Sequence, residues 1–212
     1  MIEEFARRLA QLQAAKQAGQ HEQAAQELDA DLQQLVGSDL GAIAGLSEAE
    51  LMALLIKDGP THLFRDKALM VATLLKEGGD LAEAKGQCEQ SRECYLKSMH
   101  LLLSVTALGE AGEFPDFVPQ IEMLRSALSP RPLPLETTAL LMQHYERAGE
   151  FAKAENALFT MVESAGDADI LGFASAFYRR LGSHSEAALA AGNFSREEVE
   201  QGRKEIEQLR QG

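Results

Sequence analysis

Residues Tyr145–Val162 read YERAGEFAKAENALFTMV. Apolar side chains return at three- and four-residue intervals on both sides of one glycine, Gly149, with Tyr145 before it and Phe151 just after. That spacing sets Phe151, Ala154, Leu158, Met161 and Val162 on one face of a helix. Glycine reaches left-handed φ without a Cβ penalty, so it can end one helix where the next begins. The stretch therefore predicts two antiparallel helices joined by a tight turn. A small residue, Ala154, lets them approach closely, and the aromatics fill the wedge between them.

The same plan recurs in AKQAGQHEQAAQEL, AEAKGQCEQSRECYL and YRRLGSHSEAALAA. Each has a turn glycine (Gly19, Gly86, Gly182) and a small residue five positions later (Ala24, Ser91, Ala187). Such a hairpin cannot bury its apolar face alone, so neighbours are expected to stack. Further stripes, Ile2-Phe5-Leu9-Leu12 and Ile170-Phe173-Phe177-Tyr178-Leu181, have helical spacing, and alternating strand patterns are absent. The fold class expected is all-α, a right-handed stack of antiparallel helical hairpins.

Helices are predicted over 2–18, 20–35, 48–57, 61–85, 88–110, 116–127, 135–148, 150–164, 168–181, 184–191 and 196–210. Ser47 with Glu50, Ser183 with Glu186 and Ser195 with Glu198 fit capping boxes. Gly37, Gly112 and Gly166 supply further stops, and Gly59-Pro60 separates two helices. Ser129-Pro130-Arg131-Pro132-Leu133-Pro134 cannot be helical. The chain is read as one helical domain, 1–212, with 129–134 as the hinge candidate dividing 1–128 from 135–212. At 196–210 the stripe is only Val199, Ile206 and Leu209, interrupted by Gly202, which predicts a weak helix that caps the stack or docks on another chain.

These features resemble the tetratricopeptide repeat. Leu141, Tyr145, Gly149, Phe151, Ala154 and Leu158 fall where that family places its signature residues. Tyr178, Gly182 and Ala187 do so in the next copy; Gly79, Gly86, Ser91, Tyr95 and Ser98 do so in an earlier one. Met142 and Met161 depart from the family's small residues, its usual proline is missing, and Gly78-Gly79 falls inside a helix. The interval from Gly86 to Gly112 is too short for a regular unit. Over nearly its whole length the chain also resembles an uncharacterised bacterial family of tetratricopeptide-like proteins of unknown function. That likeness rests on QHEQAAQELDADLQQLVG, LSEAELMALL and YRRLGSHSEAALAAGNFSREEVEQG. It implies a fold and no activity.

The formal charge of −13 argues against sequence-independent binding to nucleic acid or an anionic membrane, both of which need a basic surface. No signal peptide or membrane-spanning run is read, so a cytoplasmic location is expected. Cys88 and Cys94 lie about 240° apart around a helix and cannot bridge within it. His21, His62, His100, His144 and His184 are scattered, with no pair at metal-ligand spacing. No phosphate loop or nucleophile elbow is present. No catalytic residue, cofactor or metal is assigned, and an enzyme is not expected.

What remains is surface recognition of a protein or peptide. The first helix of each pair would line a concave side, where Gln143, Arg147 and Arg179 are the candidate partner-binding residues. The carboxylate clamp of tetratricopeptide co-chaperones has no counterpart, because the matching places hold Ala139, Gln143, Gly172 and Ala176. Two rival readings stay open. One is an enzyme or small-ligand binder with a pocket near the 129–134 hinge; the other is a structural homo-oligomer, a homodimer joined through Ile2–Leu12 among them.

Overall fold

A computed structural model of the protein describes residues 2–56, 61–109 and 114–211, the side chains of residues 61–63 excepted. Gly59-Pro60, Gly112 and the His62 side chain lie outside the described residues. In chain order the helices are α1 Ile2–Gln17, α2 His21–Val36, α3 Leu40–Ala44, α4 Glu48–Ile56, α5 Thr61–Ala84, α6 Cys88–Ala107, α7 Ile121–Leu128, α8 Leu135–Ala148, α9 Phe151–Ala165, α10 Ala168–Leu181, α11 Glu186–Ala191 and α12 Arg196–Leu209. The described residues contain no strand. The fold is all-α.

One turn is built three times. Gly19, Gly86 and Gly149 have φ of 73°, 73° and 75°. The next residue donates its amide back five positions at 2.9 Å in each case: Gln20 to Ala15, Gln87 to Ala82, Glu150 to Tyr145. Its own carbonyl accepts from the small residue four positions on, Ala24, Ser91 or Ala154, at 3.0 Å. This is a glycine-closed helix end that flows directly into the next helix. A Cβ at any of the three glycines would meet nothing within 4 Å, so the requirement is dihedral and not spatial. Ala24, Ser91 and Ala154 are all buried where the paired helices meet.

The chain folds as two compact units, Met1–Pro132 and Leu133–Gly212. In the first, α1 packs on α2, α2 on α5, α5 on α6 and α6 on α7, with α3 and α4 against α6. The Phe5-Leu9-Leu12 stripe is covered inside this unit, and Phe117 meets Phe5 edge-on, ring centroids 5.1 Å apart. α6 is buried over most of its length, with Ser91, Lys97, Ser98 and His100 buried beside its apolar side chains. Gly78 and Gly79 explain themselves here. A Cβ on Gly79 would lie 2.5 Å from the Tyr95 ring of α6, and one on Gly78 would lie 2.8 Å from Leu40 of α3. Two neighbours come in against bare backbone.

The helix predicted over 116–127 begins later, at Ile121. Pro115 and Pro119 break the run, and the Val118 amide bonds back to the Pro115 carbonyl in a turn. α3 was not predicted; Asp39 caps it by accepting from the Ala42 amide at 2.8 Å.

In the second unit α8 packs on α9, α9 on α10 and α10 on α12. The fourth turn differs from the other three. Gly182 has φ −58°, ordinary right-handed geometry. Ser183 does not form the predicted capping box: its hydroxyl donates to the Arg180 carbonyl at 2.6 Å, and Ser185 caps α11 instead. That delay leaves α11 short, with Ala187 exposed. The partner of α10 is α12, and the small residue at the crossing is Gly202, where a Cβ would penetrate the Tyr178 ring. Gly202 therefore continues the buried Val199–Ile206 stripe and does not interrupt it, while Leu209 is exposed. The boxes at Ser47–Glu50 and Ser195–Glu198 are both present.

Candidate functional site

The residues singled out for partner binding sit in the second unit. Gln143 is half-buried in the middle of α8, Arg147 is exposed in its last turn, and Arg179 is exposed in the last turn of α10. The side chain that joins these two helices is the neighbour, Arg180. Its Nε and Nη2 donate to Glu146 Oε1 and Oε2 at 2.6 and 2.8 Å, a two-pronged pair between α8 and α10. The bonds from Glu146 hold the Arg180 pKa above its ordinary value. Arg147 and Arg179 each adjoin one member of that pair in sequence.

The first unit carries a more chemically varied arrangement. Between the end of α5, the first turns of α6 and the segment after α7 lies a pocket of ≈ 290 Å³. Its polar lining includes Glu83, Cys88, Ser91, Arg92, Tyr95 and Arg131, and Leu128 and Pro130 contribute to an apolar side. Arg92 holds the 128–132 segment: Nη1 donates to the Leu128 carbonyl at 3.1 Å and Nη2 to the Pro132 carbonyl at 2.6 Å. Arg131 pairs with exposed Glu89 at 2.7 Å.

Behind the pocket the Tyr95 hydroxyl lies 2.9 Å from Asp80 and 3.0 Å from Glu83. A phenol has one proton to give, so the two carboxylates compete for it. Burial, followed by these carboxylates, pushes the Tyr95 pKa up. Asp80 also bonds Lys16 and Lys76, and buried Glu77 bonds both lysines and Gln13. Burial works to raise the Asp80 pKa, but the two ammonium groups outweigh it and hold the carboxyl below its ordinary value. Burial opposes the charged form of Lys76 as well, and Asp80 and Glu77 reverse that.

Sequence reasoning placed attention at 129–134 but missed Arg92, Arg131, Glu83 and the Asp80–Glu77–Lys16–Lys76 network. The available signal was Gly79, a glycine in mid-helix that ends nothing. Such a residue marks a close approach, here by Tyr95.

Among the described residues no group of three His, Cys, Asp or Glu side chains is placed to hold a metal ion, and no helix is long and apolar enough to cross a membrane. The fold and these sites define a protein of paired α-helices. By the match of its residues 1–211 to the family model, the chain belongs to a family of unknown function, DUF6483. Neither curated proteins nor solved structures give a match.

Proposed function

We propose that the chain is a non-enzymatic recognition module, a tetratricopeptide-like stack of helical hairpins that binds a protein or peptide partner in the cytoplasm. The observation that carries this reading is the threefold turn at Gly19, Gly86 and Gly149, with Ala24, Ser91 and Ala154 buried behind it. A repeated unit that presents the same face several times suits extended recognition better than a single reaction centre. On this reading α8 and α10 are first helices of successive hairpins, and Gln143, Arg147 and Arg179 offer hydrogen bonds and charge to the partner. The strongly acidic remainder of the chain disfavours nucleic acid and anionic membranes as that partner.

The test is quantitative affinity capture from native extract by wild type and by the Arg147→Glu/Arg179→Glu double variant. Both arginines are exposed, so the variant should fold as wild type does. The reading expects a defined partner whose recovery drops sharply with the double variant. Equal recovery by both proteins overturns the groove.

A further inference from the structure

We propose that the pocket behind Arg92 and Arg131 binds an oxyanion, a carboxylate or phosphate group carried by a small molecule or by the end of a peptide. The lining sets two guanidinium groups against one carboxylate, Glu83, within a chain of net charge −13. Glu89 pairs with Arg131, so the guanidinium without a carboxylate of its own among the described residues is that of Arg92.

Each donor has capacity to spare. Arg92 spends one N–H on each of two carbonyls, which carry no net charge, and among the described residues no carboxylate pairs with it. A guanidinium has five N–H groups, so three remain. Among the described residues Arg131 is committed only to Glu89, a pair exposed on both sides and exchanged for a better partner at little loss. Ser91 is 5% exposed and lines the pocket, and its hydroxyl can both donate and accept a hydrogen bond. A ligand oxygen there would take the place of water as its hydrogen-bond partner. α6 starts at the pocket without a side-chain cap from Gln87, so its first-turn amides add a favourable field for an anion. At ≈ 290 Å³ the space takes on the order of ten heavy atoms at about 30 Å³ each, room for such a group and the stem that carries it.

Cys88 provides the readout. It is exposed and lines the pocket, whereas Cys94 is buried and its thiol is pushed up to about 11 by desolvation. Iodoacetamide on the native full-length chain therefore reports on Cys88. Its rate is measured against inorganic phosphate, succinate, and a short peptide with either a free or an amidated C-terminus. Saturable slowing by at least one oxyanion probe is expected, weakened about tenfold in apparent affinity by Arg131→Gln and by Ser91→Ala. Slowing by phosphate or succinate assigns a free anion; slowing by the free-acid peptide alone, and not its amide, assigns a chain end. The proposal is overturned by no slowing with any probe, by equal slowing in both variants with unchanged circular dichroism, or by equal slowing with sodium chloride at matched ionic strength. Arg92 is left intact because it anchors the 128–132 segment. The outcome is independent of Arg147 and Arg179, which belong to the other unit.

Discussion

Gly149 and Gly182 occupy the same place in their sequence copies and have opposite φ, 75° against −58°. The dihedral, not the position, sets what each tolerates. Gly149→Ala places a Cβ in open space but in a left-handed conformation, and should cost about 1 kcal/mol. At Gly182 an added Cβ meets two carbonyl oxygens at 3.4 Å in ordinary helical geometry, so Gly182→Ala should be near neutral. Urea denaturation of the two variants reads the difference directly. Gly149 was legible because the helices on both sides are long and must reverse. Gly182 was misread because Ser183 and Ser185 settle the turn locally, through bonds that motif spacing alone does not rank.

Among the elements, helices with sustained apolar stripes could be read to within three residues at each end, whereas α7 and α3 could not. α7 starts only after Pro119, and Phe117 before it packs on Phe5 of α1 while Phe114 lies under Arg65 of α5, contacts that no local pattern shows. α3 is a five-residue helix held by one cap, too short for periodicity to register. The same contrast separates the two small residues of the second unit. Ala154 is fully buried between α8 and α9, so Ala154→Phe should cost about 1–3 kcal/mol or more through overpacking. Ala187 is exposed on α11, so Ala187→Phe should stay within about 0.5 kcal/mol of wild type. Thermal melts of the pair check this; equal losses would mean that α11 is packed as a hairpin arm after all.

For the molecule as a whole, the charged network in the first unit couples α1, α5 and α6 through Lys16, Lys76, Glu77, Asp80 and Tyr95. Because the folded Asp80 carboxyl titrates below its unfolded value, acidification protonates the unfolded chain first. Its stabilisation is full above the unfolded value and is lost as pH falls through the folded one. Asp31 and Glu155, both shifted upward chiefly by burial, act with the opposite sign. Asp80→Asn should therefore reduce stability near neutral pH and flatten the acid limb of its pH profile, as measured by chemical denaturation across that range. Only the Lys76–Asp80 pair, four residues apart on one helix, has a spacing that sequence shows; Lys16 lies more than sixty residues from Glu77, and periodicity does not say which stripes meet. The boundary between the units, at Pro132–Leu133, falls in the proline-rich segment that any reading of backbone constraints picks out.

The lack of tryptophan leaves the near-ultraviolet spectrum to phenolic chromophores. Tyr95 is the sole tyrosine of the first unit, while Tyr145 and Tyr178 belong to the second, and all three are buried. Tyr95 and Tyr178 have their hydroxyls against carboxylates, the latter 2.5 Å from Glu155. Tyr95→Phe would thus leave the optical label to the second half of the chain and the Tyr145→Phe/Tyr178→Phe double variant to the first, letting a melting experiment tell whether the halves come apart together or in turn.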